Sequence, residues 1–349
     1  MKALNLYEKQ DVRYEEVEKP EITNKNDVII KVKIAGICGS DISRYEKIGS
    51  YNPGLTWGHE FSGIITEIGK DVINLKKGDR VTGCPCFPCY ECEFCKQGEF
   101  SKCVDLKVLG GQKMGAFAEY VKLPSDQIIK IPDNMDYETA SLIEPSCVVV
   151  HAYNKINIKA GDKVAVSGCG TIGLLAIQWA KIYGAGEVYA FDIDDKKLEV
   201  AKELGADYIF NINEENYFEK FMNITDNMGT AVVIESSGNP SGISNSFSLA
   251  MKGGNIVLLG IPYGDLFIER ANFEKIIRNE LKVTGSWNSI SAPFPGNEWK
   301  ISLKYMENGR INIKPLITHR IKLDKAPEIF DRLYKREGFF IKILIEIDN

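Results

Sequence analysis

Lys163-Val164-Ala165-Val166-Ser167-Gly168-Cys169-Gly170-Thr171-Ile172-Gly173 runs from a short apolar segment into G-x-G-x-x-G, and a helical pattern follows over residues 172–183. Strand, tight turn and helix in that order are the context in which spaced glycines cradle a pyrophosphate. Gly168 permits the turn, Gly170 lets the backbone approach the ligand, and Gly173 allows the helix to pack closely on the strand. The helix N-terminus then faces the phosphates. Thr171 and Ile172 complete the loop. A second strand is predicted at 188–191, and Asp192 stands at its end. A carboxylate there accepts hydrogen bonds from both hydroxyls of an adenosine ribose and repels a 2′-phosphate, which favours NAD over NADP. Asp194 and Asp195 are lesser candidates for that role, and Lys197 is expected near the adenosine.

The same texture continues outward. Strands are predicted at 208–212, 231–236 and 255–259, with helical stretches between them, one at 196–204. Strands alternating with helices imply parallel βαβ units and a doubly wound sheet. Before residue 150 the chain is β-rich and irregular, with strands at 28–34 and 63–68 and scattered Gly and Pro, as in a barrel-like domain. After Trp287 a helix is predicted at 298–307 and a last apolar strand at 340–347. The expected organisation is α/β: a doubly wound domain over 153–287, inserted into a β-rich domain built from 1–152 and 288–349.

The 349 residues are 44% hydrophobic and 26% charged, with a net charge of -5. That balance disfavours nucleic-acid binding, which needs concentrated positive charge. No apolar run approaches the roughly 20 residues of a membrane span, and no secretory h-region is evident after Met1. Nine cysteines then read as metal ligands and reduced thiols of a cytoplasmic chain.

Six of those cysteines, Cys84, Cys86, Cys89, Cys92, Cys95 and Cys103, crowd into the lobe 84–103. Cys89, Cys92, Cys95 and Cys103 form C-x2-C-x2-C-x7-C, a spacing that closes a tetrahedral thiolate cage on one zinc ion. Cys84 and Cys86 leave the register open. Two fragments before the lobe, Cys38-Gly39-Ser40-Asp41 and Gly58-His59-Glu60, and one after it, Ile143-Glu144-Pro145, carry further zinc-competent side chains. From spacing alone they do not define a site.

Taken together and in this order, these fragments and the late glycine loop resemble the zinc-dependent medium-chain dehydrogenases of the alcohol and polyol dehydrogenase superfamily. The resemblance extends over nearly the whole chain. It implies a GroES-like catalytic domain with an inserted Rossmann domain, two Zn ions per chain, NAD, and hydride transfer from a secondary alcohol. Carried over by position, Cys38 and His59 would be ligands of a catalytic zinc, and Glu60 and Glu144 carboxylates that alternate as further ligands. Cys89, Cys92, Cys95 and Cys103 would hold a structural zinc. Ser40 would hydrogen-bond the alcohol and take its proton. Glu144, in place of the second cysteine ligand of the alcohol branch, points to the polyol branch. Ser43 stands where many relatives carry a histidine that passes the proton to solvent.

Gly285-Ser286-Trp287-Asn288 and Pro293-Phe294-Pro295-Gly296-Asn297-Glu298-Trp299, together with Thr171-Ile172-Gly173-Leu174-Leu175-Ala176-Ile177-Gln178, resemble segments of the members that oxidise a polyol phosphate. Arg44, Lys47 and Lys113 are candidate phosphate partners, and Tyr51, Trp287 and Asn288 candidate pocket walls. The expected partners are a polyol or polyol phosphate and a second copy of the chain (a dimer, or a tetramer), paired through the sheet edge at 254–259 and 283–287. The alternatives are a sorbitol, xylitol, butanediol or threonine dehydrogenase of the same superfamily, or a zinc-binding interaction protein without turnover.

Overall fold

The computed structural model describes residues 1–347. The chain divides into two compact units, Met1–Cys147 with Asn288–Asn349, and Val148–Trp287. The border falls inside the helix Ile143–Tyr153, the same helix in which residue 152 lies.

The second unit is a six-stranded parallel sheet. Its order is Tyr208–Asn211, Glu187–Asp192, Lys163–Ser167, Thr230–Glu235, Ala250–Leu258, Lys282–Gly285. Strands covered by helices on both faces read as continuous apolar runs, and Thr230–Glu235 is buried along its whole length. Val164 stands opposite Val188 on one side and Val232 on the other. Next to them an aromatic stack fills one face: Phe191 and Phe210 are 5.0 Å apart, and Phe221 meets Phe191 edge-on at 5.3 Å. The helix Thr171–Tyr183 ends where Gly184 takes φ 102, a left-handed cap open to a residue without Cβ. Asp194 starts the next helix, Asp195–Glu203, by accepting the amides of Lys196 and Lys197.

One expectation is corrected here. Residues 254–259 are not at the sheet edge, because Ala250–Leu258 is hydrogen-bonded on both sides. Lys282–Gly285 is the edge strand on that side, and Tyr208–Asn211 the one on the other.

The first unit carries a seven-stranded sheet with the path Ile128–Lys130, Arg80–Gly83, Glu60–Ile68, Asp27–Gly36, Lys342–Glu346, Ile317–Lys322. Tyr120–Pro124 also pairs with Asp27–Gly36. A three-stranded sheet contains Asp11–Glu16, Lys2–Glu8 and Leu55–Thr56. Leu4, Val28, Val32, Trp57, Phe61 and Phe330 belong to the core of this unit, where Trp57 meets Phe330 at 5.0 Å.

The C-terminal strand Lys342–Glu346 lies beside Asp27–Gly36. Gly36 is in register with Leu344 on one side and Glu60 on the other. The chain's last strand is thereby carried to the fragments Cys38-Gly39-Ser40-Asp41 and Gly58-His59-Glu60. The helix Ile143–Tyr153 has no sequence-level expectation matching it. Its residues are buried nearly all round, the polar Glu144, Ser146 and His151 included, so it lacks the exposed polar stripe that reveals a helix.

Candidate functional site

Three ligand-type side chains converge in the first unit. Cys38 precedes the short helix Gly39–Ser43, and its amide donates to Asp41 Oδ2 at 3.0 Å. His59 leads into the strand Glu60–Ile68. Gly58 makes that approach possible: its φ is 89, and a Cβ there would run into the Phe117 ring. One ligand atom from each of Cys38, His59 and Glu60 lies within 4.8 Å of the others.

Behind His59 sits Asp41, fully buried. Its Oδ1 is 3.8 Å from His59 Nδ1, and neither atom has a hydrogen-bond partner. A carboxylate facing Nδ1 favours a proton on that nitrogen and leaves Nε2 as the lone-pair donor, the arrangement typical of metal-ligating histidines. A thiol, an imidazole and a carboxylate converging beside orphaned buried atoms fit a zinc-like dication.

Glu144, at the first turn of Ile143–Tyr153, is buried but outside that three-residue group. Burial pushes its carboxyl up to about 8. The charges of Glu60 and Cys38 act in the same direction, against His59 and Lys342. Although Cys38 retains some exposure, burial raises its thiol to about 11, with Glu60 and Asp41 adding to the effect. Lys342 and a hydrogen bond with Ser40 oppose it.

Lys342 is the residue that sequence reasoning missed. It is 1% exposed, its ammonium is paired with the Glu60 carboxylate, and it donates to Ile37 O at 3.0 Å. Its only mark in the sequence is that it opens the strand Lys342–Glu346, ahead of the apolar Ile343, Leu344 and Ile345.

In the cysteine lobe, Sγ atoms of Cys89, Cys92, Cys95 and Cys103 lie within 4.8 Å of one another. The amide of Cys89 donates to Cys103 Sγ at 3.2 Å, and that of Cys92 to Cys89 Sγ at 3.4 Å. Amides of Cys95 and Val104 lower the Cys92 thiol to about 6. Burial raises that of Cys95 to about 12, reinforced by the Cys92 and Cys103 side chains. Sulfurs ringed by N–H donors suit anionic ligands of a metal.

Cys84 and Cys86 are buried and stand outside this group. The thiol of Cys86 is raised first by its hydrogen bond with Cys84 and then by burial. The lobe is packed against a later segment: Phe294 meets Tyr90 at 5.7 Å and Phe100 at 5.5 Å.

The glycine loop belongs to the second unit. Gly168 has φ 90, and a Cβ at Gly173 would collide with Gly168 O. Gly170 is the cap of Thr171–Tyr183, and a Cβ there would meet open space. Ser236 Oγ fixes the turn by donating to Ser167 O at 3.0 Å and Gly168 O at 2.9 Å.

Asp192 differs in part from expectation. Its Oδ2 accepts the Cys169 amide at 2.6 Å, and its Oδ1 accepts those of Ile193 at 2.8 Å and Asp194 at 3.0 Å. A carboxylate offers about four lone-pair positions, so acceptor capacity for one ribose hydroxyl is left rather than two. Asp194 is committed to its helix cap, and Asp195 Oδ1 accepts from Asn211 Nδ2 at 2.6 Å. Lys197 is half-buried near that cap. Thr171 and Ile172 form the first turn of the helix.

The remaining candidates are scattered. Arg44 donates to Gly110 O at 2.7 Å and lies 5.2 Å over the exposed Tyr51 ring. Lys113 lies 5.9 Å over Phe87, and Lys47 is exposed. Trp287 is half exposed, and Asn288 holds a positive φ of 59. Ser40 and Ser43 are both partly exposed on Gly39–Ser43.

Residues 24–133 match the alcohol dehydrogenase GroES-like domain, and residues 171–304 match the zinc-binding dehydrogenase family. Galactitol 1-phosphate 5-dehydrogenase of Escherichia coli K12 is 36% identical over 88% of this chain and 89% of its own length. A sorbitol dehydrogenase of Bacillus subtilis is 32% identical over 99% and 97%. The crystal structure of galactitol-1-phosphate dehydrogenase from Escherichia coli superposes with a TM-score of 0.93 at 33% identity, covering 99% of this chain and all of that one. On the sequence identity, the matched domains and the fold together, the chain belongs to the zinc-dependent medium-chain alcohol and polyol dehydrogenase superfamily.

Proposed function

We propose that this oxidoreductase transfers hydride from a secondary alcohol of a polyol phosphate to NAD, with galactitol 1-phosphate as substrate and tagatose 6-phosphate as product. The reading is supported chiefly by the convergence of Cys38, His59 and Glu60 with Asp41 placed behind His59. Cys38, His59 and Glu60, with Glu144 as alternate carboxylate, would hold a catalytic zinc, and Cys89, Cys92, Cys95 and Cys103 a structural one. Bound there, zinc supplies Lewis-acid polarisation of the substrate hydroxyl, and the nicotinamide supplies the hydride acceptor.

The chain's own residues do the rest. Asp41 holds the His59 ring in one tautomer. Ser40, hydrogen-bonded to Cys38, accepts the alcohol proton and passes it outward, with Ser43 or water as the next station. Gly168, Gly170, Thr171, Ile172 and Gly173 seat the pyrophosphate. Asp192 accepts a ribose hydroxyl and disfavours the 2′-phosphate of NADP, and Lys197 lies toward the adenosine. Arg44 is the cation best tethered to serve a substrate phosphate.

The sorbitol dehydrogenase relative, which aligns over nearly the full length, favours an unphosphorylated polyol as the second reading. Galactitol 1-phosphate, sorbitol, galactitol, xylitol, butanediol and L-threonine assayed with NAD and zinc by NADH absorbance separate the two. Preference for galactitol 1-phosphate is expected, and a preference for sorbitol refutes the specific substrate. No turnover on any alcohol, with zinc retained, leaves a zinc-binding interaction protein instead.

A second copy of the chain is the inferred partner, paired along Lys282–Gly285, an edge strand of its sheet. The acidic balance supports no role for nucleic acid, and no helix among the described residues is long and apolar enough to cross a membrane. A cytoplasmic location fits nine free thiols.

A further inference from the structure

We propose that Lys342 is a positioning residue that restrains Glu60, limiting its hold on the metal and so keeping that metal exchangeable and one coordination position open. The proposal rests on the reading that Cys38, His59 and Glu60 hold a metal. It stands on a cross-strand geometry confined to the first unit.

Glu60 and Lys342 sit on strands that flank Asp27–Gly36 on opposite sides, and their side chains meet over Gly36. The missing side chain is what lets them meet: a Cβ at Gly36 would run into the Glu60 carboxylate and stand 3.4 Å from Lys342 Nζ. The ammonium also donates to Ile37 O at 3.0 Å, one residue before Cys38. Ile37 N is itself tied to Ile343 O at 3.0 Å. The lysine is therefore tied to the backbone of the neighbouring strand's end as well as to the carboxylate.

Both partners are nearly solvent-free, at 1% exposure each. Inside a protein an ammonium and a dication compete for the same carboxylate, and water cannot stand in for either. With Oε2 engaged by Lys342, Glu60 has one oxygen left for a metal and a restoring pull against offering it. Without Lys342, Glu60 is an uncompensated buried carboxylate whose nearest remedy is the metal.

The test uses the zinc-loaded full chain and its Co(II)-substituted form, with metal release to a chelator and the visible ligand-field bands as readouts. Lys342→Met is expected to slow release from the exchangeable site by tenfold or more, and to shift the Co(II) bands toward stronger carboxylate ligation. Lys342→Arg is expected to keep release within about threefold of wild type. Gly36→Ala, which displaces the carboxylate while retaining both charges, is expected to slow release as well, and it decides the matter alone if Lys342→Met fails to fold.

Unchanged or faster release in Gly36→Ala and in a folded Lys342→Met overturns the proposal. The control Cys38→Ser separates this failure from the other one. If Cys38→Ser keeps the exchangeable ion, the metal assignment itself falls and this proposal with it. If it loses the ion while the other two variants release normally, only the role of Lys342 falls.

Discussion

Asp192→Asn is the substitution that most directly probes how the glycine loop is built. An amide side chain normally counts as a conservative replacement for a carboxylate. Here it is not, because both oxygens accept backbone N–H groups: Oδ2 from Cys169 at 2.6 Å, and Oδ1 from Ile193 and Asp194. Whichever way an asparagine is turned, its NH2 faces a donor. The better orientation keeps the oxygen toward Ile193 and Asp194 and sets the NH2 against the amide of Cys169, a residue with no solvent exposure.

The loss is then one charge-assisted hydrogen bond plus a buried N–H without an acceptor. Each is of order 1–3 kcal/mol, for a total of about 2–6 kcal/mol, or roughly thirtyfold to twenty-thousandfold in the local opening equilibrium. Hydrogen exchange of the Cys169 and Gly170 amides, with urea denaturation as the global check, measures it directly. NAD binding by calorimetry should weaken in the same variant and its preference over NADP should narrow, since the carboxylate charge is gone. An Asp192→Asn chain whose loop exchange and urea midpoint match wild type would refute the clamp, whatever happened to cofactor affinity.

The other predictions concern the first unit. Glu144 has a carboxyl raised from 4.5 to about 8, so its contribution to the stability of chelator-treated protein is complete below pH 4.5. That contribution is lost as pH climbs through about 8, where a buried charge must form. Thermal melts across that window should show the decline in wild type, and Glu144→Gln should flatten it. Gly58→Ala introduces a Cβ that strikes Phe117 at a φ of 89. It should cost roughly 3 kcal/mol from overpacking and strain combined and weaken metal binding at His59, as read by chelator competition. Phe294→Ala removes two edge-to-face contacts to the cysteine lobe, each of order 0.5–1.5 kcal/mol. It should accelerate loss of zinc from Cys89, Cys92, Cys95 and Cys103 without altering the Co(II) spectrum of the other site.

Legibility from sequence followed the range of the interactions involved. In the second unit the central strands are buried on both faces, and its first two helices start or stop on local signals, Gly184 at the end of one and Asp194 at the start of the next. Lys163–Ser167 and Thr171–Tyr183 therefore fall within a residue of expectation. Ala250–Leu258 begins five residues earlier than expected. Its first part, with Gly253 and Gly254, pairs through a register shift between Thr230 and Val232, and no apolar run announces a bulged strand.

The four-thiol lobe was legible because all its ligands lie within one short segment. Cys38, His59 and Glu144 gained meaning only through family resemblance, since Cys38 and His59 are brought together by the pairing of strands distant in sequence and Glu144 stands on a separate helix. Lys342 lay beyond both kinds of signal. A lysine in a terminal strand ordinarily faces water, and nothing local distinguishes an inward register from an outward one. What places it is the pairing of Gly36 with Leu344 and Glu60 together, a contact between the two ends of the chain. Its burial is tolerable only because a carboxylate was waiting there. Glu60 is thus shared between two tasks, neutralising a lysine buried within the sheet and facing a metal site. Separating those tasks by substitution should change how the site binds metal before it changes whether the chain folds.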